Sequence, residues 1–204
     1  MRLNLNRLFR RPLSYVVIVS GLPRSGTSMM MRMLEAGGLP LLTDRLRPPD
    51  QDNPNGYFEL ESVKKLQEEG AHWLKDHRGK GVKIVSPLLK SIPRGLQARI
   101  LFMRRDMEEI LRSQQNMLQT RRVEAPQTDD AVLASSFTRH LQDMEDWLLQ
   151  QQQVQTLYVH YGQVIENPGE QSEKICRFLG GWLSPKKMAA VVDADLYRQR
   201  LHRA

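Results

Sequence analysis

Between Gly21 and Ser28 the chain reads Gly-Leu-Pro-Arg-Ser-Gly-Thr-Ser, two glycines enclosing one cation and followed by two hydroxyl residues. Residues of these types at this spacing suit the holding of an anion. Glycine admits left-handed backbone angles and lets an anion approach the amides, while Thr27 and Ser28 open a helix whose unpaired N–H groups and dipole favour negative charge. A second candidate lies downstream, where Arg104-Arg105 ends an apolar run, Asp106 is a helix cap, and Ser113 follows Arg105 by eight residues on what the spacing predicts to be an accessible face. Two further groups sit where chemistry is common: Glu59 behind the turn-forming Asn53-Pro54-Asn55-Gly56, and Lys83 in a short apolar run.

Elements that could position these groups follow from the apolar pattern. Val16 to Val19 is a continuous β-branched run of the kind found in central parallel strands, and the helix from Thr27 should stop near Gly37-Gly38. Residues 39 to 55 read as a surface loop, and Glu59 starts a helical run through Val63, Leu66 and Leu74. Val82 to Val85, Ala98 to Met103 and Val154 to Tyr161 are the further strands, with helices from Met107 to Leu118, from Val132 to Leu148, and from Ser184 onward. The alternation predicts an α/β fold, a three-layer sandwich with a central parallel sheet flanked by helices, in which the cradle, Ser86 and Arg104-Arg105 share the carboxyl edge.

The chain of 204 residues is expected to form one domain, residues 1 to 204, with a basic lead-in over 1–13 and loops over 39–58 and 120–130 near an acceptor. Its net charge of +7 calls for an anionic partner. Scattered arginines without aromatic interleaving argue against nucleic acid. The single cysteine, Cys176, excludes an internal disulfide and lacks metal-site spacing. No apolar segment reaches the length of a membrane span and no signal-like region precedes Pro12, so a cytoplasmic protein is expected. Oligomeric state is not legible.

Set against the nucleotide-hydrolase pattern G-x-x-x-x-G-K-[ST], the loop keeps both glycines and the last hydroxyl but carries Thr27 in the lysine position. Its cation comes earlier, in Pro23-Arg24-Ser25-Gly26-Thr27-Ser28, and this arrangement resembles the phosphosulfate loop P-[KR]-S-G-T-[ST] of the sulfotransferase superfamily. Arg105 with Ser113 resembles the family's 3′-phosphate motif, and Tyr161, Asn167-Pro168 and Ile175 to Gly180 resemble its strand tyrosine, N-P turn and F-L-G helix. Gly162-Gln163 stands where the family commonly has an acid after that tyrosine, and no R-K-G segment follows.

The resemblance implies a P-loop-type architecture and transfer of a sulfuryl group from 3′-phosphoadenosine 5′-phosphosulfate (PAPS), without a metal, to a small-molecule, carbohydrate or lipid acceptor. It implies donor-binding roles for Pro23 to Ser28, with Arg24, Thr27 and Ser28 answering charge on the 5′-phosphate, for Arg105 and Ser113 at the 3′-phosphate, and for Tyr161 at the adenine. Arg104 or the C-terminal arginines would complete the 3′-phosphate pocket. Ser86 takes the place of the histidine base of one branch when Pro93 is aligned with that branch's later proline. Glu59 is then the positional candidate for the base, followed by His72 and His77, and Lys83 is a second cation at the sulfuryl group. His140 reads as structural. The alternatives are a P-loop kinase or NTPase, opposed by the missing loop lysine and the lack of an apolar strand ending in a magnesium-binding aspartate, and a non-catalytic basic nucleotide- or RNA-binding module.

Overall fold

A computed structural model describes residues 13–44, 46–48, 50, 56–120 and 129–193. The elements run β1 (Val16–Gly21), α1 (Thr27–Gly37), β2 (Leu41–Leu42), α2 (Glu61–Lys64), α3 (Leu66–Glu69), a 3₁₀ turn (His72–His77), β3 (Gly81–Lys83), α4 (Ser86–Leu89), β4 (Ala98–Arg104), α5 (Met107–Thr120), α6 (Asp130–Leu149), β5 (Val154–His160), α7 (Tyr161–Glu166), α8 (Pro168–Phe178) and α9 (Pro185–Ala190).

The strands form one sheet in the order β2-β3-β1-β4-β5, and every pairing is parallel. β1 is central and buried on both faces, which is why it reads as Val-Val-Ile-Val without alternation. Its even residues, Val16 and Ile18, join Val82, Ile100 and Phe102 in a core closed by α2, α3, α4 and α6. Its odd residues, Val17 and Val19, join Leu101, Met103 and Val159 in a second core closed by α1, α7, α8 and α9. The result is the three-layer α/β architecture that the alternation predicts. After β3 the chain crosses from one side of β1 to the other to make β4, so the end of β1 lies at the topological switch point, where ligands of such sheets bind.

α1 ends as the glycines require: Gly38 takes φ 102°, its amide reaches the Glu35 carbonyl at 2.9 Å, and the Leu39 amide reaches Leu34 at 2.9 Å. Three local readings need correction. Leu41–Leu42 is a strand rather than loop, pairing with Gly81 and Val82. The helical run from Glu59 breaks into α2, α3 and the 3₁₀ turn, with Gly70 at φ 76° between the last two, so Glu59 lies before α2 and not in its first turn. The 87–93 connection contains most of α4. Among the described residues no helix is long and apolar enough to cross a membrane. The lead-in over 1–12, Asn53 to Asn55, residues 121–128 and the arginines after 193 lie outside the described residues.

Gly81 lets the leucines around β2 approach β3 closely. A Cβ there would meet Leu39 Cδ2 at 2.7 Å and Leu41 Cδ2 at 2.9 Å. Gly81→Val should therefore destabilise the protein by about 1–3 kcal/mol, the usual cost of overpacking, measured as a lower urea midpoint. An unchanged midpoint would mean that β2 is not seated on Gly81.

Candidate functional site

The cradle is a closed turn. Gly21, at φ 141°, leaves no room for a Cβ, which would stand 2.6 Å from Ser25 Oγ and 2.7 Å from the Met103 carbonyl oxygen. Ser25 is buried, and both its hydroxyl (2.7 Å) and its amide (3.2 Å) donate to the Leu22 carbonyl. Arg24 takes φ 70°, rare for a residue with a side chain, and Gly26 takes φ 98°. No side chain caps α1 at Gly26, so the helix presents its first-turn amides and positive dipole end at the sheet edge. Pro23 is exposed, Thr27 is buried and Ser28 is half-buried.

The second and third motifs close around this turn. Asp106 Oδ1 accepts from the Glu108 amide at 3.0 Å and caps α5, which directs Arg105 inward. Arg105 Nε donates to Glu109 Oε2 at 2.9 Å, Arg105 Nη1 donates to the Arg24 carbonyl at 3.1 Å, and the guanidinium lies 4.4 Å from the centre of the Tyr161 ring. Tyr161, which opens α7 rather than ending a strand, packs on Gly26; a Cβ at Gly26 would meet its Cδ2 at 2.4 Å. Burial pushes the Tyr161 phenol up, and the Arg105 charge opposes this. Ser113 is buried rather than accessible, because its Oγ accepts from Arg24 Nε at 2.9 Å. Arg24, Gly26, Arg105, Ser113 and Tyr161 thus form one cluster drawn from three strand ends.

Arg104 goes the other way. It lies beside the Phe102 and Tyr158 rings, 5.2 Å from each ring centre, and pairs with Glu145 on α6, so it does not join Arg105 and Ser113.

Across β1, residues 56 to 61 make a strap beside the end of β3. Lys83 is buried, and its Nζ donates to the Tyr57 carbonyl. Burial pushes Lys83 down to about 8, with Glu59 opposing and Arg47 adding to the shift. The Glu59 carbonyl accepts from Thr43 Oγ1 at 3.0 Å and from the Asp44 amide at 3.2 Å. Its carboxylate pairs with Arg47 at 3.1 Å and Lys64 at 3.6 Å, and remains one-quarter exposed. Arg47 lies 3.3 Å over the Tyr57 ring, whose hydroxyl donates to Asp50 at 2.6 Å. His77 is at the opposite end of the sheet, two residues before Gly79, whose amide bonds Tyr15 ahead of β1.

One contact was not legible in the sequence. His140 on α6 places Nε2 2.9 Å from Ser86 Oγ, joining two residues 54 apart in the chain. A histidine on a half-apolar helix signals nothing about its partner, so no pattern in the sequence marks the pair.

The model of the family described as "Sulfotransferase family" matches residues 58–184, a span that contains Glu59, Lys83, Arg105, Ser113 and Tyr161 and starts after the cradle. No curated protein matches the chain. Among solved structures, the chain is similar to the sulfotransferase domain from the curacin biosynthetic pathway, with a TM-score of 0.56, 14% identity, and coverage of 95% of this chain and 94% of that one. It is also similar to retinol dehydratase, whose structure is a complex with androsterone and the inactive cofactor PAP, with a TM-score of 0.53, 16% identity, and coverage of 92% of this chain and 65% of that one. At such identities these likenesses speak to fold alone. The family match extends over more than half of the 204 residues, and the chain belongs to the sulfotransferase family.

Proposed function

We propose that the chain, acting as one domain, moves a sulfuryl group from PAPS to a hydroxyl or amine of a small-molecule, carbohydrate or lipid acceptor. The observation that carries this reading is the link between the cradle and the second motif: Arg24 reaches Ser113 at 2.9 Å while Arg105 holds the Arg24 carbonyl at 3.1 Å. Two phosphate-binding elements from distant parts of the sequence are thereby held side by side, as a nucleotide bearing both a 5′-phosphosulfate and a 3′-phosphate requires. The donor set fits a ligand with two such anionic ends. Pro23 to Ser28 and the α1 amides would hold the 5′ end, Arg105 and Ser113 the 3′-phosphate, and Tyr161 the adenine. PAP in the retinol dehydratase complex supports the choice of nucleotide.

In the transfer, the acceptor oxygen or nitrogen bonds to sulfur as the bond from sulfur to the 5′-phosphate oxygen breaks, and the electron pair stays on that oxygen. Arg24, Thr27 and Ser28 answer the charge that grows there, which is the kind of stabilisation that lowers a barrier. Lys83 supplies a second cation from β3. Glu59 takes the acceptor proton; its pairing with Arg47 anchors it on the strap.

Three outcomes test the reading. Ser113→Ala should weaken 3′-phosphoadenosine 5′-phosphate by roughly 1.5–3 kcal/mol, the range for a hydrogen bond to a charged group, while adenosine 5′-phosphosulfate is hardly affected. Titration calorimetry measures both, and equal weakening would remove the 3′-phosphate role. A wild-type protein that instead binds ATP with magnesium and ignores both ligands would favour a kinase.

Glu59→Gln should bind the nucleotide normally yet lose transfer by roughly 10²–10⁴-fold, the range for general-base help; near-normal turnover excludes Glu59 as the base.

Lys83 sets the third outcome. Its depressed value means that its charge is present below pH 8 and disappears as the pH rises through about 8. Transfer should therefore fall off on the alkaline side near that pH, and Lys83→Arg should move the limb upward. Stability has the opposite sign. Between about 8 and 10.5 the unfolded lysine binds the proton that the folded one has released, so the fold gains stability with rising pH in that window. Lys83→Met should lack the gain.

A further inference from the structure

We infer that His140 is a positioning residue of this site: through its hydrogen bond to Ser86 it holds the turn between β3 and α4, and with it Lys83, beside the cradle. What Lys83 does there rests on the sulfuryl-transfer reading, whereas the mechanical link does not.

β3 is registered against β1 through Val19 and Lys83, and the pairing ends with the Ile84 amide on the Val19 carbonyl at 3.0 Å. Beyond that bond the chain leaves the sheet. Val85 is extended and α4 has only four residues. Leu89 and Ile92 are buried and anchor its far side. Among the described residues, the contact of Ser86 Oγ with His140 Nε2 at 2.9 Å is the one side-chain hydrogen bond that joins residues 84 to 92 to another element.

The chemistry of both groups suits this link. Ser86 has no exposed surface, so its hydroxyl needs a partner within the protein. Burial and the Lys90 ammonium hold the His140 ring below its ordinary pKa, with Asp143 opposing. At neutral pH the ring is therefore uncharged and has one lone pair, suited to accept the Ser86 proton. The ring is placed by α6, which seats Met144 and Leu148 in the core one and two turns further on. Three residues upstream of Ser86, the Lys83 ammonium is fixed on the Tyr57 carbonyl, within the influence of Glu59 and Arg47. Movement of the turn changes how deeply Lys83 is buried, and so changes its protonation.

The test is competitive acetylation of the full-length folded protein with acetic anhydride across a pH series. Lys83 acetylation is read by mass spectrometry, and thermal unfolding is followed in parallel. In the wild type, Lys83 should titrate near 8 and react slowly. In His140→Phe, which keeps a ring but accepts no hydrogen bond, Lys83 should titrate closer to the ordinary 10.5, and its limiting rate, reached with the amine fully deprotonated, should rise several-fold. His140→Gln, whose amide oxygen accepts from Ser86, should restore wild-type behaviour. If His140→Phe unfolds cooperatively with Lys83 unchanged, or if Phe and Gln loosen Lys83 equally, the inference is wrong. Should His140→Phe fail to fold, Ser86→Ala removes the donor with the ring intact and must give the same rise in Lys83 reactivity. A wild type that binds no 3′-phosphoadenosine 5′-phosphate by calorimetry, yet shows the Lys83 shift, would end the sulfuryl-transfer reading and leave the role of His140 standing.

Discussion

A single buried guanidinium ties the site together. Arg105 serves the Glu109 carboxylate, the Arg24 carbonyl and the face of Tyr161 at once, and a planar fork of fixed donors can do this where a lysine could not. Taking such a cation out of water is costly unless a carboxylate accompanies it. Glu109, 4% exposed at its side chain and one helical turn further along α5, meets that condition. The cap at Asp106 sets where α5 begins and therefore where both groups of the pair point. Through Arg105 the ends of β1, β4 and β5 are held at a common centre.

The two sides of β1 differ in electrostatic character. On the β4 side, Arg105 is matched by Glu109 in the interior, so its position is fixed. On the β3 side, burial works against Lys83, and Glu59 only partly offsets it, which brings its titration down to about 8. Lys83 is thus the group whose charge responds to small changes in packing, and the strap that carries Tyr57 and Glu59 is what it senses. Arg104 and Arg105 are adjacent but diverge because successive residues of an extended chain point to opposite faces. One goes to Glu145 on α6 and the other to the cradle.

How far the sequence could be read follows from the range of the interactions involved. β1, the cradle and the ends of α1 are local in origin: a β-branched run, two glycines with positive φ, and a glycine stop each carry their structure in a few residues. The spacing of Arg105 and Ser113 is also local, being helical periodicity. The burial of Ser113 is not, since it depends on a side chain 89 residues away. β2 escaped detection because two leucines make a strand only when Gly81 gives them a place beside β3. The stretch after Glu59 reads as one helix because apolar spacing persists through α2, α3 and the 3₁₀ turn, while the break before that turn depends on Gly70 at positive φ. The partner of His140 lies 54 residues away and has no periodic signature.

Arg24 marks the place where local preference and site geometry disagree. A residue with a Cβ at φ 70° costs about 1–2 kcal/mol relative to a relaxed backbone, and glycine at this position would remove that cost. Glycine would also remove the only cation of the loop. The strain persists because neighbouring contacts over-determine the conformation: Arg105 grips the Arg24 carbonyl, Ser113 accepts from Nε, and Ser25 closes the turn on Leu22. A strained backbone held from both ends fixes where the guanidinium begins its reach. In the proposed sulfuryl transfer, where catalysis would be positioning plus charge stabilisation, a cation that need not search for its place is worth more than the relaxation forgone.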